Sequence, residues 1–533
     1  MRFKNTLLTL FFLIAIGANG QDGFVEGMLF DEKTKEPIPF ATIRIKGYSL
    51  GVISNRDGGF KIPEKFQDFG DVLEISCLGY LKKEVDMKNL YRTMVNRIRL
   101  VPSIFELDEA IVIAEKRKPL SAKKIVKKAI ERIIRNHPIN SFSTVGYYRD
   151  YQLKNNKYIN LNEAILNVFD RGFDELDWET SKVKLYAYRQ NATFGRDTLG
   201  AQPYDYASNQ KIIDNNSYLN NYGGNEFTIL KIHDAIRNHR INSYSFVNRL
   251  HYNFVPNHDF FIGKNVFLDD EVLYRIHFKK TMHPYNASGT IYISKRDFAI
   301  HKMEYTVLRK VKEKDPLKPK HTIEKERLHY RVITEYRRKE GKMYLNYISF
   351  NNRFQVRKPP EFRVREVVVL PDQKAFKLSF TGDVAEKRAF QKGNYRILYK
   401  GKKLKFERVV VMGDQVKLFP KLANQREEQA FREICELSQN VDYVSGDLTV
   451  NVMDIEDTYG RKINHSEIEE YDQFREFFVQ RVSWITDVPE SDMFMNKSIP
   501  IFKGQPVERP DDFGDYWMNT PLQKVAGGLV LER

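Results

Sequence analysis

Over most of the chain, apolar side chains recur at every second position. "FATIRIK" (40–46) places Ala41, Ile43 and Ile45 on one face, the period of a half-buried strand. "GFVEGMLFD", "GVISNRDGGFKI", "DVLEISCLGY" and "NRIRLVP" surround it as further short strands separated by turn residues. Two small sheets facing each other would bury the alternating Val, Ile and Leu residues. Further on, "KYINLNEAILNVF", "KVKLYAYRQ", "VLYRIHFKKT", "GTIYISKRDFAIHKMEYTVL" and "YRVITEYRRKEGKMYLNYISFNNRF" read as long antiparallel strands, with hairpin turns at "SKRD" and "RKEGK". The last third, from "REVVVLPDQKAFKLSF" to "ERVVVMGDQVKLFP", returns to short strands.

Helical periodicity appears in three places. In "SAKKIVKKAIERIIRNHP" (121–138), Ser121 is placed to cap the helix and Pro138 to end it. Ile125, Val126, Ala129, Ile130, Ile133 and Ile134 form one stripe among lysines. The stripe is expected to pack on a neighbouring sheet, with membrane binding as the alternative. "NQREEQAFREICELS" (424–438) reads as a second helix. "SEIEEYDQFREFFVQRV" (466–482) reads as a third, with Ile468, Tyr471, Phe474 and Phe478 on one face. The predicted class is therefore mainly β and multidomain. It comprises an N-terminal β-sandwich (23–113), a central α+β domain with a curved antiparallel sheet and one packed helix (114–360), and a second sandwich (363–463). A C-terminal helix and aromatic tail (464–533) follow.

Residues 1–20 stand apart. A basic start, about a dozen apolar residues and the small residues of "ANG" predict a secretory signal peptide cleaved after Gly20. No later segment is apolar for long enough to span a bilayer as a helix. Two cysteines, Cys77 and Cys435, are too few for a disulfide framework, and no cysteine-based zinc spacing is present. Export with so little cysteine points to a bacterial envelope, either periplasmic or associated with the outer membrane.

The chain has 533 residues and a net charge of +16. An excess of positive charge suits anionic lipid or surface glycan. No nucleic-acid recognition motif accompanies it. "VLRKVKEKDPLKPKHTIEKERLHY" (307–330) carries mixed charge and two prolines, the pattern of a solvated excursion between strands.

Candidate chemistry begins at "GYSLG" (47–51), which fits the G-x-S-x-G elbow of serine hydrolases. An elbow needs a helix directly after the serine. Here Asn55, Asp57, Gly58, Gly59 and Pro63 follow, so Ser49 is expected in a strand-to-strand turn. "SNRDGG" offers Asn55, Asp57 and Gly58 in partial imitation of a calcium loop, without the late bidentate Glu. Among the histidines, His277 and His283 are six apart, and His251 and His258 flank "YNFVPN". Neither spacing fits ligands on one helical face. Glu163, Asp269 and Glu271 are candidate carboxylates with no partner identifiable from sequence. The expected set of catalytic, cofactor and metal residues is accordingly empty.

"GMLFDEKTKEPIPFATIRIKGYSLGVISNRDGGFKI", followed by "ISCLGY", resembles the carboxypeptidase-regulatory-like domain, a transthyretin-like β-sandwich abundant in exported proteins of Bacteroidota. The resemblance covers 23–113 and implies an accessory or interaction module with no catalytic residues. "ELDEAIVIAEKR" (106–117) is similar to the strand that follows this domain in TonB-dependent transporters, but too little chain remains for a plug and a 22-stranded barrel. "GTIYISKRDFAIHKMEY" is similar to a strand pair in half-barrel proteins of the lipoprotein-sorting type, which implies a sheet face able to hold an acyl chain. "LTVNVMDIEDTYGRKI" (448–463), with its D-x-x-G-x-x-I phrase, resembles the closing strand of bacterial immunoglobulin-like domains. "PDDFGDYWMNTPLQKV" is similar to the end of Bacteroidota envelope proteins, with Phe513, Tyr516 and Trp517 as anchors within the chain. The expected role is a non-enzymatic exported envelope protein that binds a protein partner, a surface glycan or lipid. A lipid or lipoprotein carrier, and a hydrolase using Ser49, are the alternatives.

Overall fold

The computed structural model describes residues 23–48, 50–103, 119–201, 211–212, 225–243, 246–269, 271–314, 322–438 and 448–522. The expected signal peptide, Ser49 and 106–117 lie outside these residues. The chain divides into two units. One comprises Met1–Ala201, Ile213–Phe354 and Tyr471–Arg533; the other comprises Gln202–Ile212 and Gln355–Glu470.

The first unit begins with the expected sandwich. β1 (Phe24–Asp31), β4 (Gly59–Pro63) and β7 (Asn96–Leu100) form one sheet in the order β4-β1-β7. β2 (Thr42–Ile45), β3 (Gly51–Ile53), β5 (Val72–Ser76) and β6 (Lys83–Asp86) form the other in the order β3-β2-β5-β6. Alternation in β1 follows the sequence pattern, with Val25 and Leu29 fully buried against Ile43, Ile62, Leu73 and Ile75.

Next comes one large sheet, built from β8 (Phe142–Lys154), β9 (Lys157–Asp170), β10 (Lys182–Gln190), β12 (Asp259–Ile262), β13 (Val266–Leu268), β14 (Glu271–Met282), β15 (Tyr285–Ser294), β16 (Ile300–Lys314), β17 (Thr322–Lys339), β18 (Lys342–Arg357) and a C-terminal strand, Ile468–Trp484; the short β11 (Lys211–Ile212) belongs to the second unit. Its main path runs β10-β9-β8, then the C-terminal strand, then β18-β17-β16-β15-β14-β12. The turn between β17 and β18 is the two-residue hairpin Glu340-Gly341. Both residues have positive φ, the geometry that suits the sheet's twist.

The C-terminal strand corrects the helix expected at 466–482. It pairs antiparallel with β8 from Asp472↔Leu153 to Trp484↔Phe142. Residues Tyr471 and Gln473–Gln480 are buried because the strand is covered on both faces. Glu476, Phe478 and Gln480 point toward the N-terminal sandwich, whereas Phe477 points toward the opposite, helical layer. A strand buried on both sides loses its alternation, and its interior charges then imitate the polar face of a helix.

The helix Ala122–Glu131 starts at Ser121, whose Oγ accepts the Lys124 N–H at 3.4 Å. It packs against the turns Leu250–Phe254 and Val255–Asn257 and the ends of β12 and β15; the helix Glu226–Ile232 also lies on the helical face of the sheet. His233 stacks on Phe350 at 4.0 Å, Phe227 meets Phe477 at 5.1 Å, and Tyr336 donates to Asp234 at 2.6 Å. A cavity of about 40 Å³ lies there, lined by Phe142, Phe173, Phe227 and Lys231 among others.

The tail returns across the N-terminal sandwich. Trp517 Nε1 donates to the Lys61 carbonyl at 2.8 Å. Asn519 accepts the Lys61 N–H at 2.9 Å and donates to the Ile53 carbonyl at 2.7 Å. Tyr516 and Trp517 are buried in the sandwich core, as the aromatic ending predicted.

The second unit has its own core. β19 (Val364–Leu370), β20 (Ala375–Phe380), β23 (Phe406–Met412) and β24 (Gln415–Pro420) form one sheet. β21 (Tyr395–Tyr399), β22 (Lys402–Lys403) and β25 (Leu448–Val452) form another. The two share Phe376, Leu378, Ile397, Leu418 and Val452 with Phe431 and Ile434 of the helix Gln425–Ser438. The D-x-x-G-x-x-I phrase is a turn. Asp457 accepts the Tyr459 and Arg461 N–H groups at 3.0 and 2.8 Å, and Gly460 takes a φ of 81°.

Trp517→Ala removes a buried ring from the first unit and should cost about 3–5 kcal/mol. A urea titration should show its transition at a lower midpoint; an unchanged midpoint would mean that the tail is dispensable.

Candidate functional site

The residues of chemical interest gather on the sandwich-facing side of the large sheet. β2 and β5 supply Thr42, Glu74 and Ser76. Strands β14, β16 and β17, with their flanking turns, supply Asp269, Glu271, His301, Glu335, Arg337 and Arg338. Together with Lys82, Arg296 and others they line a polar cleft of about 310 Å³. Two of the three carboxylates singled out from sequence, Asp269 and Glu271, lie in this cleft.

Each carboxylate there is held by a cation or an amide. Glu271 meets Arg338 at 2.7 Å, Arg296 at 3.3 Å and His301 at 3.2 Å. Arg338 also reaches Asp297 at 3.0 Å. Glu74 meets Lys82 at 2.7 Å and Arg337 at 3.2 Å, and Arg337 lies 3.7 Å from Asp269. Asn346 donates to Glu335 at 2.8 Å and to Thr42 at 3.0 Å, and it accepts from Arg44 at 2.7 Å. Lysines and arginines equal carboxylates in the lining, with four of each.

These contacts set the ionisation. Burial would raise the Glu271 carboxyl, but hydrogen bonds from His301 and Arg338 outweigh it and hold the group well below the usual carboxylate range. Burial lifts Glu335, with Lys302 opposing. Burial would discharge Lys302, but Glu304 and Glu335 keep it charged. Cys77 is pushed up to about 12 by burial, so its thiol is inert near neutral pH. Cys77 and Cys435 are both free. A carboxylate with a strongly lowered pKa is a poor proton acceptor. The cleft holds its charges in place by pairing them with one another.

The other candidates have structural roles. The neighbours of Ser49 continue directly from β2 into β3, paired Arg44↔Gly51, so a strand occupies the place where an elbow needs a helix. The calcium-like turn closes on itself: Asp57 accepts the Gly59 N–H at 3.0 Å, and Gly58 has a φ of 79°. Asn55 instead turns its side-chain oxygen to Arg149. Glu163 is fully buried and accepts from Tyr147, Arg189, Asn191 and Thr520 at 2.7, 2.9, 2.9 and 2.6 Å. His277 pairs with Thr290 at 3.0 Å, His258 with Tyr305 at 2.7 Å, and His251 lies exposed.

Sequence reasoning missed Arg149, which lies in the run "YYRDYQ" with nothing local to mark it. It hydrogen-bonds Glu476 of the C-terminal strand, Asn55 of the sandwich and, at 3.4 Å, the Asn519 carbonyl of the tail. Tyr347 and Tyr151 donate to Glu476 at 2.9 and 3.2 Å. Burial opposes the Arg149 charge, but Glu476 overrides it and holds the guanidinium above its ordinary pKa. Among the described residues, no cluster of three or more His, Cys, Asp and Glu side chains is arranged for a metal ion.

Comparison with known proteins agrees with the first sandwich. Residues 25–112 match the CarboxypepD_reg-like domain family. The N-terminal sandwich is a CarboxypepD_reg-like domain. A search of curated proteins returns no relative. Among solved structures, a domain described as outer membrane lipoprotein-sorting from Vibrio parahaemolyticus is 11% identical. The match covers 44% of this chain and 86% of that one, at a TM-score of 0.21. A DUF1329 family protein from Desulfovibrio piger is 8% identical, with 44% and 87% covered and a TM-score of 0.19. Scores this low carry no argument about function. No helix among the described residues is long and apolar enough to cross a membrane.

Four buried histidines generate a pH prediction. His137, His233 and His258 each donate Nδ1–H to the carbonyl four residues earlier, and His239 does so to the carbonyl of Ile236. Burial lowers His137 to about 3 and the other three to about 4. An unfolded histidine takes up its proton near pH 6.5. Stability is therefore fully present above about pH 6.5 and is lost as pH falls from there toward 4. Urea midpoints measured from pH 8 to 4.5 should decline through that window, and a flat profile would refute the buried neutral state. Glu271 acts at lower pH, because its depressed folded pKa contributes stability that is lost as pH falls below about 4.3. Glu271→Gln should be less stable than the parent at pH 7, with the gap closing in acid; a gap independent of pH would exclude the ionic latch.

Proposed function

We propose that this chain is a non-catalytic module of the bacterial cell envelope that binds a protein partner, a surface glycan or lipid at the outer membrane. The observation that carries this reading is the state of Glu271. Its oxygens are occupied by Arg338, Arg296 and His301, and its pKa is driven away from the range of a general base. The CarboxypepD_reg-like sandwich beside the cleft supports a role in recognition. The leader-like residues 1–20 and the scarcity of cysteine support an exported location.

The lipid-carrier alternative would use the sheet face now covered by residues 225–243 and 246–258. The cavity of about 40 Å³ beneath that cover is far below the roughly 300 Å³ at which ligand pockets begin, so holding an acyl chain there would need the cover to move. The hydrolase alternative requires a base that reaches Ser49.

Crosslinking in intact cells, with fractionation and mass spectrometry, tests the proposal. The expected result is recovery in the envelope fraction, with reproducible crosslinks to envelope components from the cleft face. Recovery in the cytosol would overturn it, as would a hydrolytic activity abolished by Ser49→Ala in a folded protein. One acyl lipid per chain in an organic extract of the purified protein would install the carrier reading instead.

A further inference from the structure

The apolar stripe of the helix Ala122–Glu131 is spent inside the fold. Ile125, Val126, Ala129 and Ile130 are buried, and the helix packs against β12, β15 and the turns Leu250–Phe254 and Val255–Asn257. The stripe itself is therefore not available to a membrane. What the helix shows to solvent is its other half. Lys123, Lys124, Lys127, Lys128 and Glu131 are all exposed, and at about 100° per residue they fall within roughly 140° of arc. The short helix Ile133–Asn136 continues the run with the exposed Arg135.

We infer that this basic face is a docking surface for an anionic phospholipid bilayer, with Lys123, Lys124, Lys127 and Lys128 meeting headgroups and Tyr252 and Ile262 entering the interface beside them.

Three observations support the assignment. First, the charge is not spent within the chain. Among the described residues, Lys123, Lys124 and Arg135 pair with no carboxylate. Lys128 lies 5.2 Å from the centre of the Phe298 ring, and Lys127 reaches Glu131 only at 3.8 Å. Of the elements packed against the helix, β12 adds one exposed carboxylate, Asp259, while β15 and the two turns add none. Second, the lysines are placed against the helix dipole. Lys123 and Lys124 occupy the first turn, where a helix favours acidic residues and this one has none. The fold gains nothing from cations there, whereas an anionic surface offsets their repulsion. Third, apolar side chains stand exposed on two of the packed elements. Tyr252 of the turn Leu250–Phe254 is 63% exposed and Ile262 of β12 is 52% exposed. Phe260 of β12 turns to Phe254 in the helical layer, at 5.4 Å between rings, so by alternation Ile262 lies on that same face. Lysines with long apolar stems, flanked by an aromatic and an aliphatic residue, are the composition of a surface that lies on lipid. Flexible ammonium groups suit a diffuse field of headgroups, whereas a defined acidic site on a protein favours the guanidinium fork. The inference narrows the envelope reading to one partner and one surface, and rests on it only for where the bilayer is met.

Flotation of the full chain with vesicles of phosphatidylglycerol and phosphatidylcholine, against phosphatidylcholine alone, tests the inference. Binding is expected to the anionic vesicles only, and to be lost at about 1 M salt, where the screening length is about 3 Å. Lys124→Gln should weaken binding about fivefold, the contribution of one cation near an anionic surface, and Lys123→Gln with Lys124→Gln about twenty-five-fold. Tyr252→Ser with Ile262→Ser should weaken it without changing its salt dependence. Both lysines are exposed, so circular dichroism should show their variants folded as the parent is. Lys402→Gln with Lys403→Gln, on the exposed β22 of the second unit, controls for the net charge of the whole chain and should bind as the parent does. Absence of anionic binding, equal binding to both vesicles, equal losses from the two lysine pairs, or full binding by the Tyr252 and Ile262 variant would overturn the inference. Crosslinks from the helix to an acidic protein without vesicle binding would also overturn it and would leave the envelope reading standing. Vesicle binding by a chain recovered from the cytosol would remove the envelope reading and keep this surface.

Discussion

The first unit depends on one buried ion pair. Arg149 and Glu476 lie opposite each other on β8 and the C-terminal strand, almost wholly excluded from solvent. A guanidinium removed from water is tolerable only when its donors are matched, and removing one partner typically costs 3–5 kcal/mol. Here the matching groups come from separate parts of the chain: Glu476 from the sheet, Asn55 from a sandwich turn and the Asn519 carbonyl from the tail. The pair therefore specifies more than the register of two strands. Until the sandwich and the tail are seated, the Arg149 guanidinium lacks two of its partners, which couples their docking to the burial of this charge.

That constraint explains which features could be read from sequence. The first sandwich was legible because its faces alternate and its turns use Asn, Asp and Gly where chain reversal needs them. The helix from Ser121 was legible for the same local reason. The strand Ile468–Trp484 was not. Its partners lie more than a hundred residues away on β18 and more than three hundred away on β8, and contacts on both sides erase the period of two. Arg475, Glu476 and Gln480 look solvent-facing in sequence and are interior in the fold. Aromatic anchoring by Tyr516 and Trp517 was legible in kind. The specific partner, the Lys61 carbonyl that accepts from Trp517, was not, because backbone carbonyls leave no mark in sequence.

The candidate site divides in the same way. Asp269 and Glu271 were visible as acidic residues, but their role comes from Arg337, Arg338 and His301, which reach them through strand pairing. Glu163 was visible too, and it proved to be a fully satisfied interior carboxylate. Ser49 and the following Asn-Asp-Gly turn had the composition of chemistry without its scaffold. The Asn-Asp-Gly turn instead hands Asn55 to Arg149.

The distribution of charge shows how the sandwich is held to the sheet. Where cations and carboxylates balance, as around Glu271, each charge is spent on another and the seam between sandwich and sheet is locked. The same pairing continues past Glu74 and Arg337, where Lys46 meets Glu84 and Arg481 meets Asp512, both at 2.7 Å. These outer pairs are exposed and contribute little each, so the ordering of the seam rests on the partly buried pairs around Glu271 and Glu74.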